Sequence, residues 1–412
     1  MYGLSVKHKT KLMTARIIVY ELNASGHCPG WMSLISRGLA ATGAEVIVCC
    51  RTEHPQVAPW LPEMIAAGCR ISLQSCDLER PGEHAARLAK AEGASRIFFP
   101  NFDSIVYAIG KNGAPGLFEN LDIGGIWLRP TFEGVRWGSM RSTLSRLNRT
   151  RRGKLARQHQ RALKNNKLGL ERILDTGGLR PKRLRLFFTS PVSLAQASNH
   201  LRSDQVSLIC DPWLEINHTP KQEARKMLNL PRDRTILLHA GTSRPEKGLD
   251  DLCKAIRGLP EDYASKLLLL RAGKTDSADR KHLSKLESAG LAHTLDRFIS
   301  EEELQLCYTA CDWVTLPYRN QSESSGILIH AAANLRPVLA SDFGLIGENT
   351  RIFKLGRVFT HKDIKALSRE IIRLITDQTT VQEAGMMRFS ESNSPTEFVR
   401  TLRNQWRETR QT

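Results

Sequence analysis

No apolar run in this chain approaches the roughly 18 to 20 residues that a membrane-spanning helix requires. The opening residues, MYGLSVKHKTKLMTARIIVY, scatter lysines where a secretory signal would hold a continuous apolar stretch, so no signal peptide is read there. Nine cysteines are an odd number without the even spacing of a secreted disulfide framework. Cys307 and Cys311 would share one side of a helix, but no neighbouring His or Cys pair completes a zinc set, and buried thiols in a reducing cytoplasm are the simpler reading. Two nucleotide-binding patterns are missing as well. The loop Ser25–Gly30 lacks the G-x-G-x-x-G spacing of a dinucleotide fold, and Gly273-Lys274-Thr275 has Leu268 where a P-loop needs glycine. Acidic residues are in short supply: 42 Asp and Glu face 60 Lys and Arg, giving a formal charge of +18. An anionic partner is implied.

What remains is a chain of 412 residues, too long for one ordinary core, with 41% hydrophobic and 25% charged residues. Two domains of a globular protein are expected. Residues 1–14 read as a loose polar arm. Arg16–Tyr20 is a buried-strand run, followed by a glycine-containing loop, a helix over Trp31–Thr42 and a second strand at Glu45–Cys50. That order opens a doubly wound parallel sheet. It continues through Arg70–Leu73, a helix near Gly82–Glu92, Arg96–Phe99, Gly125–Leu128, Leu184–Thr189 and Val206–Ile209. Cys210-Asp211-Pro212-Trp213 then turns the chain into a polar linker. The loop bearing Gly26, His27 and Gly30 sits where such sheets bind ligands, beyond a strand's carboxyl end, although an ordinary tight connection reads equally simply.

A second alternation starts at Thr235–His239 and runs through Lys266–Leu270, a strand at Phe298-Ile299 and another at Asp312–Leu316. Its first strand ends in the loop Gly241-Thr242-Ser243-Arg244-Pro245-Glu246-Lys247-Gly248 at a helix start. Arg or Lys on a fixed loop supplies positive charge where a leaving diphosphate develops negative charge. Asn320 to Glu348 repeats the unit: a polar turn with Glu323, Ser324, Ser325 and Gly326, an alanine-rich helix from Ile327 to Asn334, then a short strand. A small-residue loop entering a helix presents unpaired N–H groups and a positive dipole end, suited to phosphate. The C-terminal helix near Ser394–Thr409 is a candidate to cross back onto the first domain.

The charge is uneven. Residues 1–200 carry 29 basic against 14 acidic residues, and Arg136–Arg185 alone carries 16 against 2. Trp137, Met140, Leu144 and Leu147 fall at helical spacing among these arginines. Such a basic amphipathic helix suits an anionic bilayer surface, and equally a solvated face packed on the sheet. Nucleic acid is set aside, because interleaved aromatics and any recognisable motif are lacking.

With these residues in view, the second half, from about Thr235 to Val358, resembles the family-four glycosyltransferases of GT-B fold. The matching blocks are HAGTSRPEKGLDDLCKAI, SEEELQLCYTACDWVTLPY, SESSGILIHAAANLRPVLASD and GLIGE, in that order. The resemblance implies two Rossmann-like domains facing a cleft and retaining transfer of a sugar from a nucleotide-sugar donor, with neither cofactor nor metal. It implies that Lys247 holds the diphosphate, with Arg244 standing in for an arginine that the family places at Thr242. Glu323 is expected near the donor sugar, and the N–H groups of Ser325, Gly326 and Ile327 at the phosphates. Two positions depart from the pattern. Ala331 stands where the family has a ribose-binding glutamate, and Arg129 where it has a histidine near the sugar. Arginine cannot shuttle a proton at neutral pH but can anchor an acidic group.

The expected organisation is an arm over 1–14, an acceptor domain over 15–214 with its basic segment at 136–185, a donor domain over 215–390 and a terminal helix over 391–412. The expected activity is a cytoplasmic glycosyltransferase building a surface polysaccharide or glycolipid, peripheral at the inner membrane face through residues 136–172. A nucleotide-sugar epimerase on the same fold and a non-catalytic nucleotide-sugar or glycan binder are the alternatives.

Overall fold

The computed structural model describes residues 15–24, 26–112, 118–128, 164, 182–214, 219–319, 324–377 and 381–406. Two sheets organise them, and every described strand pairing is parallel. The first contains β1 (Arg16–Tyr20), β2 (Glu45–Cys49), β3 (Arg70–Ile71), β4 (Arg96–Phe99), β5 (Asp122–Trp127), β6 (Arg183–Phe188) and β7 (Val206–Leu208), in the order β3-β2-β1-β4-β5-β6-β7. The second contains β8 (Thr235–Ala240), β9 (Leu267–Ala272), β10 (Ala292–Leu295), β11 (Trp313–Leu316), β12 (Val338–Ser341) and β13 (Gly356–Phe359), in the order β10-β9-β8-β11-β12-β13. This is the doubly wound α/β architecture that the alternation predicts.

The strands read as unbroken apolar runs because both faces of each sheet are covered. In the first sheet Ile18, Tyr20, Ile97 and Phe99 pack on one side, while Ile17, Val19, Val46 and Phe98 pack on the other. Strand order reverses between β1 and β4 in the first sheet and between β8 and β11 in the second. Crevices open at such switch points, outside the carboxyl ends of the strands.

Six helices carry or support the candidate residues: α1 (Cys28–Ala40), α2 (Phe102–Asn112), α3 (Leu249–Arg257), α4 (Ser277–Ser288), α5 (Gly326–Ala333) and α6 (Pro395–Gln405). Several elements differ from the sequence reading. Helix α1 begins at Cys28 with proline in its first turn, so the expected loop is shorter and Gly30 is already helical. Helix α2 carries Phe102, Ile105, Val106 and Ile109 at helical spacing into the core, a pattern that the sequence reading did not use. The strand expected at Phe298-Ile299 is instead β10, which ends at Leu295; Phe298 is exposed. β10 is an edge strand whose four residues are all half-buried, so it lacks the apolar signature of its neighbours.

Helix α6 lies against the first sheet. Phe398, Leu402 and Trp406 are buried in the same cluster as Ile17, Trp31 and Phe98. The Arg96 guanidinium sits 3.9 Å over the Trp406 ring and donates to its carbonyl. Among the described residues no helix is long and apolar enough to cross a membrane. All nine cysteines are free thiols.

Candidate functional site

Strand β8 is buried along almost its whole length and ends at Gly241, whose φ of 92° turns the chain sharply. The loop after it is stitched to the loop after β9. Gly241 N–H donates to Ala272 O at 2.8 Å, and Ser243 N–H to Lys274 O at 2.8 Å. A Cβ on Gly273 would run into the Gly241 backbone, so the close approach depends on that glycine. Ser243 is buried and its hydroxyl donates to Asp279 in the first turn of α4, while Arg244 is exposed, as is Thr242.

A short 3-10 turn, Pro245–Lys247, then leads through Gly248 into α3. Gly248 has φ 65°, and a Cβ there would collide with Pro317 O in the loop after β11. Arg319 reinforces that join. It ion-pairs with Asp250 and Asp251 in the first turn of α3, and its backbone N–H donates to Glu246 O at 2.6 Å.

These restraints fix Lys247. Its carbonyl accepts from His239 Nε2 at 3.2 Å, and its ammonium reaches Ala240 O at 3.4 Å. The ammonium also lies 5.8 Å from the centroid of the Tyr318 ring. Burial, followed by the positive charges of Arg244 and Arg271, holds the Lys247 ammonium down to about 8. His239, fully buried, is held well below the usual histidine range by burial and by Arg271 and Lys247, so it is neutral.

Tyr318 joins this loop to α5. It is buried; burial pushes the phenol up to about 12, against the lowering influence of the Ser325 side chain. Ser325 occupies the N-cap position of α5 but makes no side-chain cap. Gly326 and Ile327 start the helix half-buried, beside Ser324, and a Cβ on Gly326 would meet only open space. The helix start therefore faces outward without a side-chain cap. Ala331, three residues before the helix's C-terminal neighbour Asn334, is fully buried in the core cluster and turns no atom to this surface.

Of the positions singled out from sequence, Gly241, Thr242, Ser243, Arg244, Lys247, Ser324, Ser325, Gly326 and Ile327 lie around the β8–β11 switch point. Glu323, Arg129 and the segment 136–163 lie outside the described residues, as does 165–181. In the first domain Gly26 and His27 are exposed beyond β1; Gly26 N–H donates to Gln56 Oε1 at 3.2 Å, and His27 packs on Trp31. Gly30 is buried in α1, where a Cβ would strike Leu214.

Sequence reasoning missed four residues here. Tyr318, Arg271 and His239 are ordinary core letters until the sheet brings them together. Glu21, at the end of β1, is the fourth. It is 2% exposed, one carboxylate oxygen accepts from Asn23 N–H at 2.7 Å and the other has no partner. Burial pushes Glu21 up to about 8, with neighbouring Asp103 adding to the shift. Asp211, in the turn after β7, is pushed up to about 7 by burial. Among the described residues no three His, Cys, Asp or Glu side chains group as a metal site would require.

Residues 220–388 match the model of the family described as glycosyl transferases group 1. Among solved structures, Anabaena HepE in complex with UDP and glucose aligns over 95% of this chain and 98% of its own, with a TM-score of 0.63 at 12% identity. Sucrose-phosphate synthase from Thermosynechococcus elongatus aligns over 95% and 98%, with a TM-score of 0.64 at 19% identity. WaaG, a glycosyltransferase involved in lipopolysaccharide biosynthesis, aligns over 92% and 95%, with a TM-score of 0.59 at 16% identity. No curated protein sequence matches the chain. Residues 220–388 thus match the glycosyl transferases of group 1, and the chain as a whole shares the GT-B fold of these solved structures.

Proposed function

We propose that this protein is a glycosyltransferase, which moves a sugar, with retention, from a nucleotide-sugar donor to a polysaccharide or lipid-linked acceptor. The observation that carries the reading is the convergence near Tyr318: its ring centroid lies 5.8 Å from the Lys247 ammonium, and α5 starts at Ser325 without a side-chain cap. A cation and an uncapped helix N-terminus on either side of one aromatic suit a diphosphate. HepE, solved in complex with UDP and glucose, supports a nucleotide-sugar as the ligand.

In this reading the sugar leaves on the face from which the acceptor arrives. The leaving diphosphate is stabilised by Lys247, Arg244 and the N–H groups of Ser325, Gly326 and Ile327. Glu323 stands near the donor sugar and Arg129 anchors an acidic group on the acceptor side, with Gly26 and His27 beside it. Ala331 offers the ribose nothing, so the base and ribose are held by other groups. The positive charge facing the leaving group comes from the protein itself, and transfer is expected to survive EDTA. The basic segment 136–172 holds the enzyme at an anionic inner membrane surface.

The test is a turnover and thermal-shift screen with UDP-, GDP-, ADP- and dTDP-sugars, run beside Lys247→Ala. One nucleotide-sugar should stabilise the protein and turn over, and Lys247→Ala should abolish both effects. The buried Ala331 also favours a second reading, a non-catalytic binder; stabilisation without transfer or hydrolysis would select it. Silence with every nucleotide would overturn both. Flotation with anionic liposomes tests the membrane reading, which fails if no salt-sensitive binding is seen.

A further inference from the structure

Arg271 is the second-largest side chain in the fully buried core, and it lies at the carboxyl end of β9, one strand from the switch point. Burying a guanidinium is costly unless something holds it. Here Nη1 donates to His239 O at 3.2 Å and Ala272 O at 2.7 Å, and Nη2 donates to Lys274 O at 3.2 Å. These carbonyls belong to the end of β8 and to both sides of Gly273. The fork therefore clasps the two strand ends whose loops meet at Gly241 and Gly273. Nε has no hydrogen-bond partner.

The same charge is felt across the site. Arg271 helps to hold Lys247 and His239 below their ordinary values and helps to lower the Tyr318 phenol against its burial. Arginine does not shed its proton in proteins, so this charge is permanent, whereas Lys247 can titrate. A neutral residue of similar length would fill the space without any of these effects. Asp279 in α4 and Asp296 beyond β10 act on the guanidinium and offset part of its charge, and a bound diphosphate would offset more.

We propose that Arg271 is a positioning residue of the donor site, which clasps the two glycine loops from beneath and sets a permanent positive charge behind the place where a diphosphate is held. The proposal rests on the donor-site reading of Lys247, and the experiment separates the two. Binding of UDP, GDP and ADP is measured by calorimetry from pH 6.5 to 9.5 for the wild type, Arg271→Met and Arg271→Lys. In the wild type, affinity should fall as pH rises through the Lys247 range. In Arg271→Met it should be weaker by about tenfold at pH 7. Its pH midpoint should also move up, because a neighbouring cation has gone. A purely structural arginine would not move that midpoint, and an unmoved midpoint overturns the proposal. Arg271→Lys, which keeps the charge and loses the three-carbonyl fork, guards against a Met variant that does not fold. It should keep the wild-type midpoint with weaker binding; unchanged affinity overturns the clasping role. Absence of diphosphate binding by the wild type defeats the donor reading itself.

Discussion

Lys247 is a half-buried ammonium whose hydrogen-bond acceptor is a single backbone carbonyl at 3.4 Å. Burial and two neighbouring arginines favour its neutral form, so the free protein has lost half of this charge at about pH 8. A bound diphosphate favours the ammonium and raises its pKa. Nucleotide binding should therefore weaken as pH rises from about 7 to 9 and should take up a proton in that window. Calorimetry in two buffers of different ionisation heat reads the proton; no buffer dependence at pH 8.5 would refute the linkage. Glu21 makes the opposite kind of statement about stability. Its carboxyl is pushed up to about 8 in the fold, so the folded state holds a proton that the unfolded chain releases near the ordinary carboxylate value. The stability it contributes is fully present below about pH 4.5 and lost as pH rises through about 8. Glu21→Gln should flatten that loss and raise the melting temperature at pH 9 relative to the wild type. Parallel melting curves from pH 5 to 9 would count against it. Asp211, pushed up to about 7, acts in the same direction and remains in both proteins.

At the scale of elements, two glycines separate binding from folding. Gly326 opens α5 with free space where a Cβ would stand. Gly326→Ala should leave stability unchanged or slightly raised, since alanine restricts the unfolded chain. It should nevertheless weaken nucleotide binding by crowding the helix start, as a titration beside a thermal melt would show. Gly248 is the reverse case. Its positive φ and its contact with Pro317 O mean that Gly248→Ala should cost about 2 kcal/mol or more in a denaturant titration. The sequence announced both glycines, because each stands in a small-residue loop before an apolar helix. It did not announce Tyr318. That residue comes after β11 as one more apolar letter, and only the meeting of loops brings its ring to the Lys247 ammonium. β10 escaped for a different reason: an edge strand buries too little to leave a periodic trace.

At the scale of the whole molecule, two parallel sheets place their switch points at β1–β4 and β8–β11, and helix α6 ties the end of the chain to the first sheet. Trp406 is the largest fully buried side chain, under the Arg96 guanidinium and 5.1 Å from Phe98. Gly124 leaves the room it occupies, since a Cβ there would strike both Phe98 and Trp406. Trp406→Ala should cost about 3 to 5 kcal/mol, and it should do so in the first domain although the residue comes from the chain's end. Hydrogen exchange would place the loss: protection should fall in β1, β4 and β5 and hold in β8 and β9. Equal loss in both sheets would refute a local role.

The sequence by itself determined the class of fold, because period and order are local properties: apolar runs of strand length, each followed by a glycine loop and an amphipathic helix, leave few alternatives to a parallel doubly wound sheet. It also made Lys247 and the start of α5 visible as candidates, since a cation on a fixed loop and a small-residue helix entry are written in consecutive letters. The tertiary structure alone decided which buried polar groups face one another. Arg271, His239, Tyr318 and Glu21 sit on strands or at their ends, where sequence records only that a residue lies in the core. Their roles depend on which strands are neighbours, and β8 stands between β9 and β11 only because the chain doubles back across 70 residues and more.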